Sequence, residues 1–328
     1  MSWFRNNQSA MLGIDISTTA IKLVALNRDS GGFSLESYAL VPLPEDAVVD
    51  KNICDIELIV QALKTALKLS GTRVKQACVA VSGAAVMSKI ITLPAILSED
   101  EIERQIINDA EEYIPYPIKD VNFDFEIQTV SANNPQLLDV LLVVSRRENV
   151  EERVTALAFA GLKTAVVDTE LFALERAFIL LADQLPDTIK HQTIALLDIG
   201  ATTCSLNILY QGKSIYSREQ LFSGQPSIED PTALINNIKQ QVARLLQFFS
   251  ISTGSHPIDA VILSGGCAVV DGLKQLLASD LKLPVYIANP FSQLSLSARI
   301  NRQALNHDAA KLTMACGLAL RGFVDDQH

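Results

Sequence analysis

The chain has 328 residues, of which 48% are hydrophobic and 20% charged, and its formal net charge is −10. This length and composition predict a globular protein with two domains or lobes. The negative charge argues against nucleic acid and anionic lipid as partners, because a non-specific grip on either needs clustered cations. The 5 cysteines and 4 histidines have no metal-ligand spacing and are interpreted as structural or surface residues. Neither a secretory signal nor an apolar run of about 20 residues is recognisable, so we expect a cytoplasmic protein.

The first 85 residues predict a sheet with one covering helix. Three short strands come first, at 11–16, 20–27 and 33–41. Apolar residues then recur at helical spacing over 55–69, where Asp55 is the predicted N-cap. The apolar run 77–81 predicts a buried strand.

Residues 86–147 differ in character and predict a small inserted subdomain. A strand opens the segment, and Ser98 with Glu101 forms the capping box of a helix. Pro115 and Pro117 end that helix. Because a pair of strands follows, a β-α-β-β unit is expected.

The rest of the chain predicts a second lobe similar to the first. The predicted elements are a strand at 164–168 between two helices, three short strands within 193–220, a helix at 233–249, a buried strand at 260–266 and a final helix near 309–320. Strands that alternate with helices in this way predict α/β layers.

An internal repeat links the two halves. The stretch GIDISTTAIKLVAL at 13–26 can be laid over LLDIGATTCSLNIL at 196–209, which places Asp15 on Asp198. Both copies begin a run of three predicted strands. We therefore expect two lobes of related fold whose first turns face each other.

The facing turns predict a phosphate and metal site. Small residues let backbone N–H groups point at phosphate oxygens, and hydroxyls add further donors. Asp15 and Asp198 repel phosphate, but they can hold Mg²⁺ directly or through its waters. Lys22 either reaches the phosphates as a point charge or extends from a strand edge to solvent. The strand that ends in Gly265 and Gly266 permits close approach of an adenine ring.

The order of phosphate turn, inserted segment, second phosphate turn and glycine-ended strand resembles that of the actin/Hsp70/FtsA superfamily. Within it, the chain is similar to the PilM family of type IV pilus assembly proteins over nearly its whole length. The stretches that carry this resemblance are GIDISTTAIKLVAL, VKQACVAVSGAAVMSK, EEYIPYP, RRENVEERV, VVDTELFALERAF, DIGATT, YSREQLF, QFF, LSGG, ANPF and ACGLALR.

The resemblance implies an α/β, actin-like (ribonuclease H-like) two-lobed fold with an FtsA-type inserted β-α-β-β subdomain. The first lobe core would be 11–85 with 148–190, the inserted subdomain 86–147 and the second lobe 191–328. Only QPSIEDPT stands where relatives have a longer helical stretch. A shortened small subdomain is therefore expected around 222–250.

The resemblance also implies ATP and Mg²⁺ as ligands. The first phosphate turn would contribute Gly13, Asp15, Ser17, Thr18, Thr19 and Lys22. The second would contribute Asp198, Gly200, Ala201 and Thr202. Gly265 and Gly266 would approach the adenosine, and Asp15 and Asp198 would be the metal-linked carboxylates.

As a partner, the resemblance implies the cytoplasmic N-terminal peptide of PilN, an inner-membrane protein, in a groove beside the inserted subdomain. Tyr113, Ile114 and Tyr116 are candidate groove residues, since aromatic side chains anchor such sites; the alternative is a helix end with exposed aromatics. Such a protein would lie on the inner membrane through its partner. Other inner-membrane pilus assembly proteins and the motor ATPases are further expected partners, and self-association is left open.

Three functions are compatible with such a site: a nucleotide-responsive scaffold, an ATPase or sugar-kinase-like enzyme, and a nucleotide-free adaptor. An enzyme needs a residue that positions the attacking group near the γ-phosphate. The candidates are Ser82 and Gly83, or Asp168 and Glu170, which are also explained as helix caps. We favour the scaffold, with slow or absent ATP hydrolysis.

Overall fold

The computed structural model describes residues 10–131, 134–221, 231–253 and 257–323. These residues divide into two units. The larger unit combines the described residues up to Ala80 with those at 156–323, and the smaller unit is Val81–Thr155. Within the described ranges, no helix is long and apolar enough to cross a membrane.

The secondary structure of the described residues alternates strands and helices. The strands are β1 (Leu12–Ile16), β2 (Ala20–Asp29), β3 (Gly32–Pro42), β4 (Val48–Val49), β5 (Asn52–Ile53), β6 (Gln76–Val81), β7 (Val86–Pro94), β8 (Val121–Val130), β9 (Leu137–Arg146), β10 (Lys163–Thr169), β11 (Thr193–Ile199), β12 (Thr203–Tyr210), β13 (Lys213–Leu221), β14 (Ala260–Ser264), β15 (Val285–Ile287) and β16 (Ser295–Leu296). The helices are α1 (Ile56–Ser70), α2 (Glu99–Asn108), α3 (Ala110–Tyr113), α4 (Arg147–Phe159), α5 (Glu170–Leu181), α6 (Pro231–Thr253), α7 (Leu273–Leu281), α8 (Arg302–Asp308) and α9 (Thr313–Leu320).

The larger unit contains two sheets with the same core topology. The first has the strand order β10-β6-β1-β2-β3-β16, and the second has the order β15-β14-β11-β12-β13. In each sheet the first three strands along the chain are antiparallel neighbours. The next strand of each sheet then pairs parallel with the first, β6 with β1 and β14 with β11. The sequence repeat is therefore a repeat of the fold, in which Asp15 and Asp198 are each the penultimate residue of a first strand.

Two helices connect these sheets through very close packing. Helix α9 contacts β1, β2 and α5, and α5 also contacts β12 and β13 of the second sheet. A Cβ atom on Gly13 would overlap the carbonyl oxygen of Ala315, and one on Gly317 would overlap that of Ala173. Gly13 and Gly317 therefore set the spacing of β1, α9 and α5.

The C-terminal helix completes the core of the first lobe. The side chains of Val24, Leu26 and Leu35 are buried, and they belong to one apolar cluster with residues from the end of the chain. Those residues are Leu305, Ala309, Leu312, Ala315, Cys316, Ala319, Leu320 and Phe323. The face of the first sheet that carries the three strand residues is thus covered by the last described helix.

The smaller unit has its own sheet and core. Its strands are antiparallel in the order β7-β9-β8, and α2 and α3 lie between β7 and β8 along the chain. Ile102 and Ile106 of α2 are fully buried in this core. The predicted capping box is confirmed, because the Ser98 N–H donates to Glu101 Oε2 at 2.9 Å. The helix ends at Asn108, earlier than predicted, and α3 continues the helical path.

The other predicted helices are confirmed with small shifts at their ends. Asp55 caps α1 by accepting hydrogen bonds from the backbone N–H groups of Glu57 and Leu58. The helix predicted at 233–249 is α6. The shortened subdomain expected around 222–250 falls partly on residues 222–230, which lie outside the described residues.

Candidate functional site

The two turns that the repeat singles out meet between the lobes of the larger unit. In the first turn, the Ser17 N–H and Oγ both donate to the Ala20 carbonyl oxygen, at 3.1 and 2.9 Å. The hydroxyl oxygens of Thr18 and Thr202, one from each turn, are 3.2 Å apart. The fold therefore brings together hydroxyl groups that are 184 positions apart in the chain.

The remaining turn residues leave this junction accessible. Thr19 is exposed, and its carbonyl oxygen accepts a hydrogen bond from the Leu43 N–H at 2.9 Å. Gly200 donates its N–H to the Thr203 carbonyl oxygen at 2.9 Å, and a Cβ atom at this position would meet only ordinary contacts. Ala201 is partly exposed beside it. The second turn thus has room for a ligand next to its small side chains.

Lys22 neutralises the first of the two repeated aspartates. The register of β1 and β2 places Lys22 opposite Asp15, and Lys22 Nζ lies 2.7 Å from Asp15 Oδ2. The exposed fractions of the two side chains are 13% and 9%. Because β2 lies between β1 and β3, Lys22 does not extend from a strand edge.

Asp198 lies near the end of β11, beside Ser264 and within the influence of two lysines. Its Oδ1 accepts a hydrogen bond from Ser264 Oγ at 2.8 Å, and Ser264 is its register partner on β14. Burial raises the pKa of Asp198 above its usual range, although Lys22, Ser264 and Lys51 act in the opposite direction. The negative charge of Asp15 raises this pKa further. The two repeated aspartates therefore share one electrostatic environment.

An ion-pair cluster that the sequence analysis did not predict lies beside these aspartates. Lys51 occupies the turn between β4 and β5 with a left-handed φ of 67°. Its Nζ donates to Glu170 Oε1 and Oε2 at 3.0 and 2.8 Å and lies 3.9 Å from Glu219 Oε2. Although burial lowers the pKa of Lys51, the two glutamates raise it well above its usual range. Lys51 is thus a cation shared by the first residue of α5 and a residue of β13.

Part of this cluster has a weak signal in the sequence. The register of β12 and β13 places Glu219 opposite Ser205, and Ser205 is the repeat equivalent of Lys22. If the repeat is extended to its third strand, Glu219 is recognisable as a carboxylate that lies opposite the repeat equivalent of Lys22. Lys51 has no comparable signal, since it lies in a short turn far along the chain from Glu170 and Glu219.

The glycines predicted to contact ligand have different roles in the structure. Gly265 has a φ of 89°, and a Cβ atom there would overlap the backbone of Ile199. Gly266 faces open space, because a Cβ atom at this position would have nothing within 4 Å. The Cys267 thiol donates to the Gly200 carbonyl oxygen at 3.2 Å, which ties this segment to the second turn. Gly13 faces α9, and this close packing is enough to require a glycine there; its assignment to the first phosphate turn stays a prediction.

The candidate water-positioning residues make separate contacts and do not form one cluster. Asp168 is buried and forms a 2.6 Å ion pair with Arg176, so it is committed to the core. Thr169 caps α5 by accepting a hydrogen bond from the Phe172 N–H. Ser82 is buried and accepts a hydrogen bond from the N–H of Ala84. Glu170 is therefore the candidate that the structure places in the cluster with Lys51.

The smaller unit corrects one of the three predicted partner residues. Ile114 is 3% exposed and packs in the core of this unit, so its side chain does not face a partner. Tyr113 is partly exposed, and the Lys89 ammonium lies 5.7 Å from its ring centroid. Tyr116 is 40% exposed.

Tyr116 lines a surface depression of about 440 Å³. The Arg146 guanidinium lies 4.8 Å from the centroid of its ring, a cation–π distance. Arg147 donates to the carbonyl oxygen of Lys119 at 2.9 Å and is thereby fixed at the rim. The other lining residues are Pro117, Asp120, Glu148 and Glu151.

Comparison with known proteins identifies the family to which this chain belongs. The family model described as type IV pilus assembly protein PilM matches residues 13–233 and 232–323. The chain belongs to the PilM family. The matched residues include both repeat motifs, the inserted subdomain and the glycine-ended strand, and the break in the match falls at the start of α6.

Solved structures agree with this assignment. The structure described as the PilM-PilN type IV pilus biogenesis complex is similar with a TM-score of 0.80 and 26% identity, covering 97% of this chain and 100% of that chain. The ethanolamine utilization protein EutJ from Carboxydothermus hydrogenoformans is similar with a TM-score of 0.54 and 14% identity, covering 95% and 90%. A nucleotide-free diol dehydratase-reactivating factor has a TM-score of 0.51 and 9% identity, covering 95% and 99%. The last two likenesses concern the fold alone.

The predicted fold class is confirmed by these findings. The PilM match and the two sheets of equal topology show an α/β, actin-like fold with two lobes. The predicted β-α-β-β order appears in the smaller unit, between Val81 and Thr155.

Proposed function

We propose that this PilM-family protein is a nucleotide-responsive scaffold, which binds Mg-ATP between its lobes and the cytoplasmic N-terminal peptide of PilN on its inserted subdomain. The observation that carries the nucleotide site is the approach of Thr18 and Thr202 beside Asp15 and Asp198. PilN as partner is supported by 26% identity over nearly the whole chain to a protein solved in complex with PilN.

The residues at the lobe junction fit a magnesium–phosphate ligand. Hydroxyls and backbone N–H groups of two turns supply neutral donors for phosphate oxygens, and Asp15 and Asp198 supply oxygen ligands or water acceptors for Mg²⁺. Glu219 Oε1 is buried without a hydrogen-bond partner, so an oxygen atom at this site is still unsatisfied. When bound, Mg²⁺ would neutralise the phosphate charge. Lys22 and Lys51 would add fixed positive charge on the first-lobe side.

The nucleotide half of the proposal is tested with labelled Mg-ATP in a single-turnover assay with excess protein. We expect binding and slow or absent release of phosphate, because Glu170, the candidate for positioning water that lies in the cluster, is held by Lys51. Prompt phosphate release would instead establish an ATPase cycle. Absence of binding would overturn the nucleotide site and favour the nucleotide-free adaptor.

The peptide half is tested at Tyr116. We expect Tyr116→Ala to weaken the affinity for a synthetic PilN N-terminal peptide about tenfold or more, because a partly exposed aromatic ring beside a depression is a typical anchor. Fluorescence anisotropy with labelled peptide measures this change. Tyr210→Ala is the matched control, since Tyr210 is 43% exposed but lies on β12 of the larger unit.

Two outcomes would contradict the peptide site. Equal peptide affinity of Tyr116→Ala and wild type would place the anchor elsewhere, and an equal loss in Tyr210→Ala would show a general effect.

With PilN as its partner, the protein would be cytoplasmic and held on the inner membrane. The other inner-membrane assembly proteins, the motor ATPases and further copies of the chain are additional partners in this proposal.

A further inference from the structure

The ion-pair cluster around Lys51 is largely buried, although Lys51 lies in a turn. The side chains of Lys51, Glu170 and Glu219 are only 12%, 13% and 12% exposed. They come from three separate elements: the β4–β5 turn, the start of α5 and strand β13. One ammonium group therefore holds carboxylates of the first and second lobes in one buried place.

The cluster has more negative than positive charge. In the described part of the lobe junction, the carboxylates of Asp15, Asp198, Glu170 and Glu219 face the ammonium groups of Lys22 and Lys51. Lys22 is paired with Asp15 and also lowers the pKa of Asp198, whereas Lys51 holds Glu170 and Glu219 and acts on Asp198 as well.

Glu219 is the member whose bonding is incomplete. Its Oε2 accepts a weak hydrogen bond from Ser205 Oγ at 3.3 Å, whereas its buried Oε1 has no partner. A buried, unsatisfied carboxylate oxygen costs free energy, and a second cation at the cluster would remove that cost. Glu219 thus has one oxygen atom that remains available to a second cation at the cluster.

The described residues pair the glutamates with Lys51 and contain no preformed metal site at the cluster. No group of three or more histidine, cysteine or carboxylate residues is placed there to hold a metal ion. Instead, both oxygens of Glu170 bond the Lys51 ammonium. A divalent cation that approached Glu170 and Glu219 alone would be repelled by this ammonium group at close range.

We infer that Lys51 is a built-in counter-ion, which holds Glu170 and Glu219 in the absence of ligand and prevents a divalent cation from binding there without nucleotide. Phosphate groups that arrive with the cation supply negative charge for Lys51, so cation and nucleotide bind together. This inference rests on the proposed nucleotide site and explains how that site discriminates between Mg²⁺ and Mg-nucleotide.

The test is the response of Lys51→Met to MgCl₂ alone, without nucleotide. We expect Mg²⁺ to raise the melting temperature of this variant in a saturable way, with an apparent affinity at least about tenfold higher than in the wild type. Isothermal titration calorimetry with MgCl₂ gives the same affinity independently. Lys239→Met is the matched control, because it removes the same charge from a surface pair in which Lys239 Nζ lies 2.6 Å from Asp280 Oδ2.

The variant is informative even if it is unstable. Loss of Lys51 leaves carboxylates uncompensated, so we expect Mg²⁺ to restore part of its melting temperature. The double variant Lys51→Met/Glu219→Gln removes one of these charges, and it should fold better and respond less to Mg²⁺. Equal responses to Mg²⁺ in Lys51→Met, Lys239→Met and wild type would overturn the inference.

This experiment also separates the inference from the proposed function. If the wild type binds Mg-ATP but Lys51→Met does not gain affinity for Mg²⁺, the counter-ion role fails and the nucleotide site stands. If Lys51→Met gains affinity for Mg²⁺ but the wild type does not bind Mg-ATP, the proposed ligand is wrong and the counter-ion role is supported.

Discussion

Asp198→Asn is expected to abolish Mg-dependent nucleotide binding while leaving the protein at least as stable as the wild type. The amide loses the charge that Mg²⁺ requires. It keeps an oxygen that accepts the hydrogen bond from Ser264 Oγ, which is 2.8 Å long in the wild type. Titration calorimetry with Mg-ATP and thermal unfolding measure the two effects on the same samples.

The pH dependence of the free energy of unfolding shows why Asp198→Asn is expected to be at least as stable as the wild type. Burial raises the folded-state pKa of Asp198, so the native state binds more protons than the unfolded state between the two pKa values. The stability of the wild type therefore falls as the pH rises through this window, and the cost is complete above it. Asp198→Asn lacks this cost, so its advantage in stability should be present at neutral pH and vanish in acid.

The matched control, Asp259, directly precedes β14 and contacts the opposite end of β11. Asp259 accepts a hydrogen bond from the Thr193 N–H at 2.9 Å, where β11 begins. Asp259→Asn should leave the affinity for Mg-ATP unchanged. Wild-type affinity in Asp198→Asn would refute the metal role of Asp198, and an equal loss of affinity in Asp259→Asn would show that the effect is not local.

Gly13→Ala is expected to destabilise the protein by about 3 kcal/mol or more, as severe overpacking does. The new methyl group would overlap the Ala315 carbonyl oxygen and the Ala319 nitrogen, which are backbone atoms of α9. Backbone atoms inside a packed helix do not move aside as a flexible side chain does. Chemical denaturation of the wild type and the variant measures the change in the free energy of unfolding.

Gly266→Ala is the comparison for this variant, because nothing lies within 4 Å of a Cβ atom at that position. It should unfold like the wild type and change only the affinity for nucleotide, since Gly266 is a predicted adenosine contact. Normal stability of Gly13→Ala with weakened nucleotide binding would contradict the packing role and support the predicted phosphate contact.

The sequence predicted those features that depend on local pattern or on the repeat. Helix α1 follows from apolar spacing and the Asp55 cap, and two sheets of equal topology follow from the repeat around Asp15 and Asp198. The turn at 17–19 was also predicted, whereas the pairing of Asp15 with Lys22 across that hairpin was not. These features need only residues that are near one another in the chain or related by the repeat.

The remaining features depend on contacts between distant segments. Gly13 resembles a ligand-binding glycine in sequence, and only its contact with Ala315 shows that packing requires it. Lys51 meets Glu170 and Glu219 after three elements have been assembled. Ile114 has two aromatic neighbours in YIPYP, and the local pattern does not show that its side chain is buried while that of Tyr116 is exposed.

The position of α9 has a consequence for how the protein is made. The strands that carry Val24, Leu26 and Leu35 leave the ribosome well before the residues that cover them, which lie at 305–323. The first lobe therefore remains without its full core during synthesis, although domains usually fold from the N-terminus as they emerge. Until α9 is released, the nascent chain presents an uncovered apolar sheet face, which is a target for chaperones and a hazard for aggregation.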